Sequence, residues 1–193
     1  MFIDLTYELD KKTIEIFIDS FITKKDFSKF GHFGTHFDVM DKKFPLEYTR
    51  RNGVFFDVSL VRNREIEKTD ISLNNINEHD FVIFYTGTLQ KEGYGTKKYF
   101  ENHPELSQEL IFALVEKKIS LIGVDMAGVR RGKEHNIADQ YCADSGVFII
   151  ENLANLFLLL EATANKSSFI VHTYPLKLRG YTGLPTRIIA EII

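Results

Sequence analysis

The segment Gly31-His32-Phe33-Gly34-Thr35-His36-Phe37-Asp38 decides how the rest of the chain is read. It sets two imidazoles four residues apart, with a carboxylate two residues further on. Such side chains can converge on one ion if the turn between them is tight. Gly34 permits that turn, because a residue without a Cβ takes backbone angles that others resist. Histidine, histidine and carboxylate form a common ligand set for a catalytic metal that keeps a position open for water. Spacing alone leaves a second reading open. Among six histidines, two can fall four apart on a hydrogen-bonded, solvated loop.

Outward from this segment the chain alternates strand and helix patterns. Residues 2 to 7 and 13 to 18 read as short strands, the second alternating as Thr-Ile-Glu-Ile-Phe-Ile. A loop from about Asp26 to Pro45 carries the two histidines. Val54 to Val61 has a strand pattern, and Phe81 to Thr86, Ser120 to Asp125 and Gly146 to Ile150 read as buried strands. After Gly87 comes a Gly-, Lys- and Tyr-rich loop to about Phe100, in which Gly93-Tyr94-Gly95 reads as a mobile turn. A helix is predicted from Ser107 to Lys118, with Ser107 as N-cap and Leu110, Leu114 and Val115 on one face. A short helix runs through about Ala164, and Ser168 to Pro175 and Thr186 to Ile193 read as closing strands. Strands in mixed order with few helices between them indicate α/β or α+β built around a mixed sheet, not a regular doubly wound repeat.

Composition narrows the function classes. Of 193 residues, 44% are apolar and 26% charged, a globular balance in a chain long enough for its own core, so a metal is functional rather than architectural. A net charge of -3 argues against nucleic acid, and the short basic clusters at Lys24-Lys25, Arg50-Arg51 and Arg130 to Lys133 read as solvated loops. No apolar run approaches the roughly 20 residues that span a bilayer. Asp4 stands where a signal peptide would need a basic region, so the expected location is cytoplasmic. The single cysteine, Cys142, excludes an intrachain disulfide, and the carboxylates of Asp139 and Asp144 would oppose a thiolate nucleophile there.

His32-x-Gly34-Thr35-His36-x-Asp38 resembles the signature of the cyclase-like metal-dependent hydrolases, the family of bacterial kynurenine formamidase and isatin hydrolase. The resemblance extends to Ile3-Asp4-Leu5-Thr6, Thr86-Gly87, Tyr99 to Leu106, Ile122 to Asp125, Ile149 to Leu153, and Pro175 to Arg187. It implies a swivelling β/β/α domain over residues 1–193, working as a homo-oligomer, a dimer or tetramer. It also implies one or two divalent ions per subunit, zinc or manganese, held by His32, His36 and Asp38 with Glu151 as a further ligand. Read without the resemblance, Glu151 is a helix-start carboxylate.

Two departures bear on mechanism. Where the family pattern continues with a proline and a proton-handling histidine, this chain has Met40 and Lys42. Where the family has a histidine ligand twelve residues before its glutamate, this chain has Asp139, which can still ligate but hardens the site toward manganese. His135, four residues earlier, is an alternative ligand or an exposed loop histidine beside Glu134.

The resulting expectation is an enzyme that hydrolyses a C–N bond of a small amide, cyclic amide or aryl formamide through water activated by the metal. Lys42, with a depressed pKa, would stabilise an oxyanion or act as general acid in place of the lost histidine. Asp38 or Glu151 would take the first proton, and Phe30, Phe33, Phe37 and Phe44 could wall a pocket for a planar substrate. No nucleic-acid or membrane partner is expected. The alternatives are a catalytically degenerate member that binds a metal or small ligand, and a structural metal site in an assembly protein.

Overall fold

The computed structural model describes residues 1–25, 27–165 and 167–193; Asp26, at the expected start of the central loop, lies outside the described residues. In chain order the first half comprises β1 (Phe2–Asp4), α1 (Lys11–Lys24), β2 (His36–Asp38), β3 (Arg50–Asp57), β4 (Phe81–Tyr85), α2 (Thr88–Glu92) and α3 (Lys97–Glu101). The second half comprises α4 (Gln108–Glu116), β5 (Leu121–Val124), α5 (Lys133–Asp144), β6 (Phe148–Glu151), α6 (Leu156–Thr163), β7 (Phe169–Pro175) and β8 (Gly183–Ile192). The predicted buried strands appear as β4, β5 and β6, and the predicted helix appears as α4, capped by the Ser107 side chain on Leu110 N–H.

Strands β3, β4, β5 and β6 pair in parallel, while β2 lies antiparallel to both β6 and β8. β7 is antiparallel to β3 and to β8, so seven strands close into a barrel-like ring, with β1 added on β8. The fold is therefore mixed α/β around a mixed sheet, as expected. Strand alternation sorts the apolar residues into two cores. Phe37, Ile83, Ile150, Val171, Leu184 and Ile188, from five strands of the ring, meet in one of them. Val82, Ile122 and Ile149 point the other way, against Leu110 and Leu114 of α4 and Ala138 and Cys142 of α5. Each such fully buried aliphatic side chain contributes about 1.5–3 kcal/mol.

The expected loop after Gly87 carries α2 and α3, and other elements also depart from expectation. Thr13–Ile18, predicted as a strand, lies within α1. The Asp10 side chain accepts from Thr13 N–H at the start, and Lys25, at φ 51°, ends the helix in the left-handed conformation. The alternating isoleucines also contain a helical stripe, and Phe17 and Phe21 pack on Phe33 and Phe30. α5, in contrast, was not predicted. Its buried face consists of Ala138, Asp139, Cys142 and Ala143, which carry almost no periodic apolar signal.

The basic stretch at Arg130-Arg131 is an ion-pair network rather than a solvated loop. Arg130 bonds Glu65 and Glu134, and Arg131 bonds Glu105. Among the described residues, no helix is long and apolar enough to cross a membrane.

Candidate metal centre

Register builds the first half of the site. In β2, His36 and Asp38 are two apart and share one face, whereas Phe37 points into the ring core. His36 pairs directly with Glu151 on β6. Directly opposed cross-strand residues have Cβ atoms about 5 Å apart, so the register alone brings imidazole and carboxylate together. The chain before β2 folds back to bring in His32. Gly34 takes φ +58°, and Gly31 at φ +127° lies so close to Gly183 that a Cβ would meet that carbonyl oxygen at 2.2 Å.

His32, His36 and Asp38 then form a group whose donor atoms all lie within 4.8 Å of one another. His36 Nε2 is 3.6 Å from Asp38 Oδ1 and 3.5 Å from Glu151 Oε2, and His32 Nδ1 is 2.9 Å from Asp38 Oδ1. Adjacent donors on a tetrahedral ion with bonds near 2.0–2.1 Å stand about 3.3 Å apart. The buried atoms His36 Nε2, both Asp38 oxygens, Asp139 Oδ1 and Glu151 Oε1 have no hydrogen-bond partner. Buried polar atoms are rarely left so, and five in one place fit a cation.

The ring nitrogens facing away from the centre are bonded, which orients those facing it. His36 Nδ1 donates to Gly34 O at 2.9 Å, and His32 Nε2 lies 2.8 Å from Thr182 Oγ1. Gly34 is held from three sides. Asn152 Nδ2 donates to its carbonyl at 2.8 Å, its N–H donates to Tyr94 Oη at 2.7 Å, and the neighbouring Thr35 hydroxyl donates to Asn152 O. Tyr99 Oη donates in turn to Asn152 Oδ1. Sequence reasoning missed these supporting residues. Gly93-Tyr94-Gly95 reads as a mobile turn in the sequence, whereas Tyr94 pins the metal loop and packs at a tilt on Tyr7 with ring centroids 4.6 Å apart.

α5 supplies the second half. Asp139 is buried beside the site, and His135, one turn earlier, reaches it with Nε2 3.2 Å from Asp139 Oδ2 and 3.5 Å from Glu151 Oε1. Burial pushes Asp139 and Glu151 well above the ordinary carboxyl range, reinforced in both by the charge of Asp38. Burial acts upward on Asp38 too, but the charge of His36 and the contact with His32 hold it well below that range. Carboxyl groups that repel one another this strongly in a buried pocket are what a dication would neutralise.

Lys42 is not brought to this group, which corrects the expectation of a depressed pKa. Its Nζ lies 2.6 Å from Asp144 and 3.1 Å from Asp41, and the bonds to these two carboxylates raise its pKa. The physical reason is local: α5 ends its last turn beside the residue-42 loop and presents Asp144 there. Met40, at φ +53°, turns the chain away behind β2. Cys142 is buried in α5, where burial and then Asp139 push its thiol up to about 12, so it is no thiolate. Of the four loop phenylalanines, Phe37 and Phe44 pack together in the ring core, and Phe30 and Phe33 pack on each other and on α1.

The sequence model of the Cyclase family matches residues 3–130 of this chain. No curated protein matches it. Among solved structures, one described as a potential metal-dependent hydrolase with cyclase activity is 27% identical, with TM-score 0.66, over 83% of this chain and 77% of that one. Isatin hydrolase A from Labrenzia aggregata is 22% identical, with TM-score 0.68, over 83% of this chain and 73% of that one. A structure described as a novel cyclase covers 98% of this chain and 88% of its own at TM-score 0.71 and 14% identity, a likeness of fold alone. With a family match over residues 3–130, a shared fold and a His-His-Asp group able to hold a metal, the chain belongs to the Cyclase family of metal-dependent hydrolases, as a divergent member.

Proposed function

We propose that the chain hydrolyses a C–N bond of a small amide, a cyclic amide or an aryl formamide, using a divalent metal, zinc or manganese. The observation that carries this reading is the buried, unpartnered set formed by His36 Nε2, both Asp38 oxygens and Glu151 Oε1. His32, His36, Asp38 and Glu151 would hold the divalent ion, which would supply Lewis acidity toward a carbonyl and toward water. Asp38, held ionised by the two histidines, would serve as an anionic ligand, while Glu151, pushed up by burial, is the better carboxylate to take a proton. Tyr94 and Asn152 keep the His32–His36 loop in place while this happens. The same chain in two or four copies is part of the proposal, since α1 buries none of its residues and exposes Ile16 and Ile22.

A second reading, a catalytically degenerate member that binds a metal or small ligand, is favoured by one observation. Lys42 stands where the family pattern handles protons, yet it is engaged with Asp144 and Asp41. The test is a panel of aryl formamides, lactams and isatin, assayed on metal-reconstituted protein with and without chelator. Turnover that chelator abolishes and zinc or manganese restores is the expected result. A stoichiometric metal without turnover on any member would favour the degenerate reading.

A further inference from the structure

We propose that the cavity between the loop following β3 and α3 binds a phosphorylated small polyol, at a site separate from the metal centre. The cavity measures about 660 Å³, within the range of small-molecule pockets. Its walls are residues 61–65 after β3, residues 86–88 where β4 passes into α2, Lys91 and Glu92 of α2, Lys98 of α3, residues 102–105, and Arg131. None of His32, His36, Asp38, Asp139 and Glu151 lines it. The α3 wall is fixed locally. Thr96 Oγ1 accepts from Tyr99 N–H at 3.1 Å, and Tyr99 is fully buried, which leaves Lys98 exposed toward the cavity. Asn102, four residues on, lines it beside Lys98.

The first argument is charge. Arg62, Arg64, Lys91, Lys98 and Arg131 line the cavity against Glu65, Glu92 and Glu105. Each of these acids already has a cation: Arg130 for Glu65, Lys91 for Glu92, and Arg131 for Glu105. Arg64 is engaged by Asp70 at 2.6 Å. Arg62 and Lys98 are left over. Among the described residues neither has a carboxylate partner, and Arg62 Nη1 reaches only the Val61 carbonyl, at 3.4 Å. Two unmatched cations on one concave surface focus a positive field there. A phosphoryl group carries roughly two negative charges at neutral pH and accepts several charge-assisted hydrogen bonds, whereas a carboxylate brings one charge.

The second argument is a buried imidazole in the same wall. His103 is 2% exposed, and its Nδ1 donates to the Pro104 carbonyl at 2.7 Å. Burial lowers its pKa, so the ring is neutral and Nε2 is an acceptor. Among the described residues nothing donates to that nitrogen, and buried polar atoms are rarely left so. A phosphoryl dianion has no proton to give it, but a hydroxyl does. The remaining lining agrees with a hydrophilic ligand body, since only Val61 and Pro104 bring apolar side chains to it.

The experiment is calorimetric titration of the full chain, as purified and again after chelator, with glycerol 1-phosphate, inorganic phosphate and glycerol as probes. Glycerol phosphate is expected to bind once per chain with a Kd below about 1 mM, equally in both preparations. Inorganic phosphate should bind more weakly and glycerol not at all. Arg62→Ala and Lys98→Ala should each weaken glycerol phosphate about 10-fold or more, because each removes a charge-assisted bond. His103→Phe, similar in size, should weaken glycerol phosphate and leave inorganic phosphate unchanged. Circular dichroism verifies folding, and His103→Leu replaces the phenylalanine variant if that one does not fold. No saturable binding of either phosphorylated probe, or affinities unchanged in both cation variants, would overturn the proposal. So would binding that disappears with chelator, which would put the phosphate on the metal centre. Inorganic phosphate bound as tightly as glycerol phosphate, with no effect of the His103 variant on either, would overturn the polyol and leave free phosphate as the ligand.

Discussion

Asn152 Nδ2 donates to Gly34 O, the same oxygen that receives Nδ1 of His36. One side chain from the end of β6 therefore fixes both the turn between the two histidines and the ring orientation of the second. Asn152 occupies φ +60°, which asparagine and aspartate tolerate, so Asn152→Asp keeps the backbone while replacing the donor by a carboxylate oxygen that repels the Gly34 carbonyl. Metal affinity should fall about 10–100-fold with all ligands intact. Calorimetric titration of the stripped protein with zinc or manganese measures it, and an unchanged affinity would show that the network does not position His36.

Gly34→Ala should act on the same turn from the backbone side. A Cβ at φ +58° costs about 1–2 kcal/mol, and it would also lie 2.8 Å from the Leu9 side chain. Thermal unfolding in chelator should report a destabilisation of that order, and metal affinity should drop in parallel. A variant as stable as the wild type would mean that the turn has slack this structure does not have.

Lys42→Ala should leave metal content unchanged, because its ammonium is engaged by Asp144 and Asp41 and not by the ligand group. If a substrate from the amide panel is turned over, the variant should retain a rate within about threefold of wild type. Complete loss of turnover with full metal content would return Lys42 to the mechanism.

Part of this site was legible in the sequence and part was not. The spacing of His32, His36 and Asp38 already confined three donors to a short segment, and a strand through residue 36 puts two of them on one face. The partnership of His36 with Glu151 depends on β2 inserting antiparallel between β6 and β8, a long-range pairing that no local pattern encodes. The Thr13–Ile18 segment was misread because its alternating isoleucines satisfy a period of two while Ile14, Phe17, Ile18 and Phe21 also satisfy 3.6. α5 escaped notice because it buries alanines, a cysteine and an aspartate, so His135 and Asp139 could not be placed on a common face beforehand.

Asp125, at the end of β5, gives a pH dependence separate from the metal centre. It accepts from Thr86 N–H and Oγ1 and from Gly87 N–H, but burial outweighs these bonds and raises its pKa to about 6 from an ordinary 3.8. The folded state thus holds this proton more tightly than the unfolded state. The associated stability is fully present below the unfolded value and is lost as pH rises through about 6. Urea unfolding of wild type and Asp125→Asn in chelator, at pH 4 and pH 7.5, should show the wild type losing ground to the variant at the higher pH. A gap independent of pH would contradict the assignment.

The central claim is that His32, His36, Asp38 and Glu151 hold a divalent ion. The most direct measurement is elemental analysis of the purified chain and of His36→Ala, each stripped, reconstituted with zinc or manganese, and desalted. At least one ion per wild-type chain is predicted, and His36→Ala, folded by circular dichroism, should lose the ion its Nε2 faces. Equal metal content in the two proteins, or none in the wild type, would contradict the account.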